Sequence, residues 1–317
     1  MQDISPETHL VTGAFGYSGC YIARALLAKG HEVRTLTRSP DRKHGFGNRI
    51  RVWPLDFADR AGLVEALTGV AVLYNTYWVR FHGAGFSQDL AVRNSIRLFE
   101  AARAAGVRRI VHVSITNPSL ASPYTYFRGK AEIEAGLTAV GVPHSILRPA
   151  VLFGGADILN NNIAWMLRHL PAFGVFGKGE YRIRPIHVQD LARLAIEAGC
   201  HEGNEIVDAV GPETYSFRAL VEMIGDAIGR PRPLIGVPRS LALGFLRILG
   251  LFVHDVILTR QEVGALMDEL LVTYSSSTGR TRFSSWVVQH GHQLGRHYAS
   301  ELARRRDRRT AYDELRA

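Results

Sequence analysis

The chain has 317 residues, 46% of them apolar, and a formal net charge of +9 from 38 Lys and Arg against 29 Asp and Glu. That balance suits one large α/β core with an appended lobe and excludes a chain disordered over most of its length. Only 4 lysines contribute to the basic count and the cations are spread out, so the charge reads as arginine-biased usage and no nucleic-acid partner is expected.

Near the N-terminus, the apolar run Leu10-Val11-Thr12 enters Gly13-Ala14-Phe15-Gly16-Tyr17-Ser18-Gly19. An amphipathic segment from Cys20 to Lys29 follows, and Gly30 precedes a second apolar strand, Glu32 to Ser39. Glycines three apart between a strand and a helix predict a βαβ unit that cradles a dinucleotide pyrophosphate, because backbone N–H groups must approach the phosphates closely at a helix N-terminus. The expected contacts are Thr12, Gly13, Phe15, Gly16, Tyr17, Ser18 and Gly19. Where an acidic residue would bind the ribose 2′-OH of NAD, the second strand ends in Arg38 and Ser39. An arginine fork suits a 2′-phosphate, so NADP(H) is expected to be preferred over NAD(H).

Short apolar strands then alternate with helical patterns: Arg51–Leu55, a helix at Ala61–Leu67, Val70–Tyr74, a long helix Ser87–Ala105 closed by Gly106, and Arg109–Ser114. This order predicts a doubly wound parallel sheet. A helix from about Tyr124 to Val140 and a sixth strand, Ser145–Pro149, complete a nucleotide-binding Rossmann domain over residues 1–150.

Tyr126 and Lys130 stand four apart on one face of that last helix. With 11 Tyr and 4 Lys in the chain, chance predicts about 0.14 such pairs. A phenol works as an acid or base at neutral pH only beside a cation that stabilises its phenolate, and Lys130 can supply that charge. Ser114 and Thr116, at the carboxyl end of the fifth strand, are both candidates for the hydroxyl that holds a substrate oxygen; the residue pattern does not choose between them.

Residues 151–235 are expected to form a smaller mixed α/β substrate lobe. It would hold a helix at Ile158–Leu170, a Phe- and Gly-rich loop at Phe173–Gly179, a strand at Tyr181–His187 and helices at Gln189–Ala198 and Ser216–Ile228, before the break at Pro231, Pro233 and Pro238. Residues 236–317 form a helical extension with a basic end, Arg304-Arg305-Arg306-Asp307-Arg308-Arg309. The apolar stretch Leu241–Leu258 carries Arg247, His254 and Asp255, which argues against a spanning helix. Its Leu241, Phe245, Ile248, Leu249 and Phe252 share one helical face. That face is expected to pack on the body of the protein, with contact to a membrane surface or a protein partner as the rival.

The two cysteines, Cys20 and Cys200, cannot form a disulfide framework. Met1–Glu7 has no basic segment followed by an apolar one. A cytoplasmic protein is expected, peripheral to a membrane if the apolar helix makes contact. No metal site is expected.

Together Thr12-Gly13 through Gly19, Asp56-Phe57, Tyr126 with Lys130, Arg148-Pro149 and Pro185-Ile186-His187-Val188-Gln189-Asp190-Leu191 make residues 8–235 resemble the short-chain dehydrogenase/reductase superfamily, in its extended and atypical NAD-dependent epimerase/dehydratase-like branch. The resemblance implies that Asp56 and Phe57 sit at the adenine, that Lys130 also binds the nicotinamide ribose, that Pro149 and the loop after it flank the nicotinamide, and that His187 and Asp190 border the substrate lobe. It also implies a homodimer through the Ser87–Ala105 and Tyr124–Val140 helices. Two departures stand out. Thr116 precedes Tyr126 by only ten residues, and Tyr77-Trp78 replaces the small residues common after the fourth strand, so that Trp78 becomes a candidate wall of the substrate pocket. In this the chain is similar to the atypical branch that includes the NADPH-binding accessory subunit of respiratory complex I. The implied function is an NADPH-dependent oxidoreductase acting on a carbonyl or alcohol. A non-catalytic NADPH-binding sensor or structural subunit and a nucleotide-sugar epimerase or dehydratase stand beside it.

Overall fold

The computed structural model describes residues 6–83, 85–312 and 314, so most of the segment Met1–Glu7 lies outside the described residues. The chain begins with β1 (Thr8–Thr12), α1 (Tyr17–Ala28), β2 (Glu32–Thr37), β3 (Ile50–Pro54), α2 (Arg60–Leu67), β4 (Val72–Asn75), α3 (Gln88–Ala104), β5 (Arg109–Val113), α4 (Thr125–Val140) and β6 (His144–Pro149). It continues with β7 (Val151–Phe153), α5 (Ile158–His169), β8 (Phe173–Phe176), β9 (Arg182–Ile183), β10 (Pro185–His187), α6 (Val188–Gly199) and β11 (Glu205–Ala209). The remaining elements are β12 (Tyr215–Ser216), α7 (Phe217–Ala227), β13 (Leu234–Val237), α8 (Arg239–Phe252), α9 (Arg260–Met267), α10 (Phe283–His290) and α11 (Glu301–Arg306).

The chain divides into two compact units, one of residues 1–149 and 191–208, the other of residues 150–190 and 209–317. In the first, the strands run in the order β11-β6-β5-β4-β1-β2-β3. Parallel pairings join β3 to β2, β2 to β1, β1 to β4, β4 to β5 and β5 to β6. This is the doubly wound Rossmann order, with a crossing point between β1 and β4 where such sheets bind nucleotides. The helices bury one stripe each: Ile22, Ala23 and Leu26 of α1, and Leu98, Phe99, Ala101 and Ala102 of α3, are inaccessible to solvent. The Ser87 hydroxyl starts α3 by accepting from Leu90 N at 3.1 Å, and α4 stops at Gly141 in the left-handed region (φ 77°).

Arg109, 2% exposed, closes this unit at the β11 side of the sheet. Its guanidinium donates to the Ala198 carbonyl at 2.6 Å, Ser145 Oγ at 2.5 Å and the Gly203 carbonyl at 2.7 Å. The Ser145 hydroxyl in turn donates to Glu205 at 2.7 Å.

The second unit is built from small sheets and helices around Phe153, Phe173, Val175, Phe217, Phe283 and Trp286. Three of its features depart from the sequence expectation. Phe173–Gly179 is not all loop: Phe173, Val175 and Phe176 are buried with Gly174 outward, and β8 pairs in parallel with β13. The expected strand Tyr181–His187 splits into β9, antiparallel to β12, and β10, parallel to β7. The helix expected within Leu241–Leu258 ends at Phe252, and His254 adopts φ 49°. Of its predicted face only Leu249 packs inward, with Ala242; Leu241, Phe245, Ile248 and Phe252 are exposed. The correction is geometric, because Leu243 and Leu246 join Ala242 and Leu249 against the core and leave the other face out.

Candidate functional site

The turn after β1 has the geometry its glycines require. Gly13 adopts φ 67°, Gly16 N donates to the Gly13 carbonyl at 2.8 Å, and Gly13 N donates to the Leu36 carbonyl at 3.1 Å. A Cβ on Gly19 would collide with that same Gly13 carbonyl, so only glycine lets α1 approach the turn this closely. Gly16 is the N-cap of α1, no side chain caps it, and the first turn holds no acid. Such an end, with its positive dipole, suits the pyrophosphate of a dinucleotide, and the residues present fit that group.

The neighbours of the turn are differently engaged. Thr12 Oγ1 donates to Asn75 Oδ1 at 3.0 Å and accepts from Thr76 N at 2.8 Å, so its hydroxyl clamps β1 to β4. Phe15 is buried and stacks on His44 with centroids 4.0 Å apart; Tyr17 meets the edge of Tyr21. Ser18 is half-buried in the first turn of α1. Arg38 is exposed at the end of β2, and Ser39 N donates to Thr37 Oγ1 at 3.0 Å. Arg34, upstream, donates instead to the carbonyls of Ala66 and Thr68 and caps α2. Asp56 is exposed and accepts from Ala58 N, and Phe57 lies against Tyr77 with centroids 4.7 Å apart.

At the carboxyl ends of β4 and β5, α4 presents Tyr126 and Lys130. Lys130 is 2% exposed; its Nζ donates to the Val113 carbonyl at 2.8 Å and stands 4.7 Å over the Trp78 ring. Burial pushes its ammonium down to about 7, against the pull of the Glu134 carboxylate. Half-buried Tyr126 meets the same indole edge-on, with centroids 5.3 Å apart and planes at 82°. Trp78 therefore touches both members of the pair. Gly129 makes this possible, since a Cβ there would lie 3.0 Å from Trp78 Cη2 and 3.3 Å from Val92.

The two candidate hydroxyls are both enclosed. Ser114 Oγ donates to Glu134 Oε1 at 2.5 Å, and Glu134 is held by Arg148 through Nε at 3.1 Å and Nη2 at 2.5 Å. Thr116 has no exposed surface, and its N–H donates to the Pro149 carbonyl at 3.0 Å. In the second unit, His187 is buried against Phe153 and Trp286 and accepts from Gln189 N. Asp190 does more than begin α6, for its carboxylate accepts from Arg280 N at 2.9 Å and Thr281 N at 2.8 Å.

One arrangement escaped the sequence reading. Thr12, Asn75 and His112 form a buried polar chain across β1, β4 and β5, with Asn75 Nδ2 donating to His112 Nδ1 at 3.1 Å. His112 is fully buried, and that burial together with the Lys130 charge holds its imidazole well below the usual histidine range, as the neutral ring. Its three members are 63 and 37 residues apart, and only the parallel register of three strands reveals the chain.

A family model described as NAD(P)H-binding matches residues 13–168. The chain is 31% identical over 264 residues to the sterol demethylase protein B of Methylococcus capsulatus, covering 75% of this chain and 79% of that one. It is 27% identical over 244 residues to the mitochondrial NADH-ubiquinone oxidoreductase 40 kDa subunit of Neurospora crassa, covering 74% of this chain. The chain spans 64% of the length of that subunit. In fold it is similar to the triphenylmethane reductase of Citrobacter sp. complexed with NADP(H), with a TM-score of 0.73 at 19% identity over 89% of this chain and 99% of that one. With its glycine turn, its doubly wound sheet and a relative 31% identical over three quarters of both chains, the chain belongs to the NAD(P)H-binding proteins.

Proposed function

We propose that this protein is an NADPH-dependent oxidoreductase that interconverts a carbonyl and an alcohol, with Tyr126 as its acid and base. The observation that carries this reading is the placement of Tyr126 and buried Lys130 on one face of α4, both against Trp78. The backbone of Thr12, Gly13, Phe15, Gly16, Tyr17, Ser18 and Gly19 would hold the pyrophosphate. Arg38 and Ser39 would receive the 2′-phosphate, Asp56 and Phe57 the adenine, and Pro149 would flank the nicotinamide. When bound, NADPH supplies the hydride.

The protein supplies the rest. Tyr126 gives its phenolic proton to the substrate oxygen during reduction and takes it back during oxidation. The Lys130 ammonium stabilises the phenolate; one of its three N–H groups is used on Val113, which leaves two for ribose hydroxyls. Trp78 walls the reacting atoms with an apolar face and limits water. Replacing Tyr126 by Phe should lower turnover of a carbonyl substrate by about 10²-fold or more while NADPH affinity changes less than about threefold. Unchanged turnover in that variant would sink the proposal.

A second reading has its own observation. The Ser114 hydroxyl donates to Glu134 and Thr116 has no exposed surface, an arrangement that favours a site without a substrate-holding hydroxyl. A non-catalytic NADPH-binding module fits that feature. NADPH bound by the protein yet stable for hours before a broad panel of aldehydes, ketones and quinones would select it.

A further inference from the structure

Helix α8 turns an apolar face to solvent. Leu241 is 66% exposed, Phe245 50%, Ile248 58%, Leu251 76% and Phe252 77%. At 100° per residue four of these make one stripe, Leu241-Phe245-Ile248-Phe252, with Leu251 beside it. Their joint exposed area is on the order of 600 Å², the upper end of what a monomer's largest apolar patch reaches. Single exposed apolar residues need no explanation, but five on one helix face do.

The surroundings say what covers it. No Asp or Glu occurs between Asp226 and Asp255, a stretch that holds Arg230, Arg232, Arg239 and Arg247. Arg247 is exposed on the helix itself, and His254 and Arg260 are exposed just beyond it. Asp255 is buried and spent: its carboxylate accepts from Tyr298 Oη, Glu301 N and Leu302 N. That clasp fixes the first turn of α11 to the end of α8, and α11 leads into the basic run, where Arg306, Arg308 and Arg309 are exposed. The apolar stripe is thus accompanied by cations and by no exposed acid of its own helix.

We propose that α8 lies flat on a membrane surface that carries anionic phospholipid headgroups, with the Leu241-Phe245-Ile248-Phe252 stripe at the acyl boundary and the arginines among the phosphates. The helix has 14 residues, about 21 Å at 1.5 Å per residue, against a hydrocarbon core of about 30 Å, so it rests on the bilayer rather than crossing it. Among the described residues no helix is long and apolar enough to cross a membrane. A second copy of the chain is a poorer occupant. A stable dimer buries about 800 Å² per partner, more than this stripe exposes, and would set Arg247 and its neighbours against like charges.

The test is flotation of the full chain with vesicles of phosphatidylcholine alone and of phosphatidylcholine mixed with phosphatidylglycerol. The protein should float with the mixed vesicles at least about tenfold better, and high salt should remove most of that difference. The double variant Phe245→Glu and Phe252→Glu should lose binding to both, with an unchanged thermal transition because both rings are exposed. Arg247→Glu, which leaves the apolar stripe intact, should weaken binding to the anionic vesicles by roughly fivefold or more. Absence of flotation with either vesicle overturns the proposal. So does a lipid-free dimer, seen by light scattering, that Phe245→Glu dissolves, since the face would then belong to a second copy.

Discussion

Replacing Lys130 by Met should make the first unit more stable near neutral pH and barely change it in mild alkali. In the folded protein burial lowers the Lys130 ammonium from 10.5 to about 7, whereas the unfolded chain keeps its proton up to the ordinary value. Between those two limits the unfolded state binds more protons, so stability rises with pH across the window. Integrated at 1.36 kcal/mol per pH unit, the cost of burying this amine is about 1.4 kcal/mol at about pH 9.5 and about 4 kcal/mol at about pH 7. Met fills a similar volume without that cost, but it gives up the bond to the Val113 carbonyl and the contact over Trp78, together worth about 1–3 kcal/mol. The two sets of terms nearly cancel in mild alkali and leave the variant ahead by about 1–3 kcal/mol at neutral pH. The assay is urea unfolding of both proteins at the two pH values, followed by tryptophan emission. Titrating groups that Lys130 does not touch cancel when variant and parent are subtracted, and His112, which its charge also holds down, loses its proton below this pH window. If the difference between them shifts by less than about 1 kcal/mol from about pH 9.5 to about pH 7, or shifts the other way, the account of Lys130 as a desolvated amine fails.

Two further substitutions probe the nucleotide turn. Gly19→Ala forces a methyl against the Gly13 carbonyl, which is backbone and cannot step aside; calorimetry should show NADPH binding lost, and thermal unfolding a destabilisation of about 1–3 kcal/mol. Arg38→Ala, at an exposed side chain, should leave stability unchanged while weakening NADPH by about tenfold and NADH hardly at all, as read by paired calorimetric titrations.

The features legible in the sequence were those whose cause is local. Glycine spacing announces the βαβ turn because a Cβ is intolerable at Gly19, and the alternation of short apolar runs with helical stripes announces the parallel sheet. Tyr126 and Lys130 could be paired because a helix brings residues four apart together. The engagement of Ser114 with Glu134 and Arg148 was hidden, since it joins β5, α4 and β6 across 20 and 14 residues. The Thr12-Asn75-His112 chain was hidden for the same reason. Gly129 could have signalled Trp78, because a glycine inside a helix costs about 1 kcal/mol and usually marks a close neighbour. Strand β8 is hidden by a Phe- and Gly-rich composition that suggests a loop, although Phe173 and Val175 are buried with Gly174 outward between them, and β13 is hidden by the prolines that flank it, Pro233 and Pro238.

Arg109 carries a consequence for how the chain is made. The ribosome releases β1 to β6 first, but two of the three acceptors of this guanidinium's hydrogen bonds, the carbonyls of Ala198 and Gly203, emerge only after the whole segment 150–190 of the other unit has followed. Until then a charge destined for the interior must stay in water, and the β6 edge of the sheet stays open for want of β11. The nucleotide-binding unit is therefore not finished co-translationally in one stretch. It waits on a detour through its neighbour, and a fragment cut at Pro149 would be left with an unfinished sheet rather than a smaller domain.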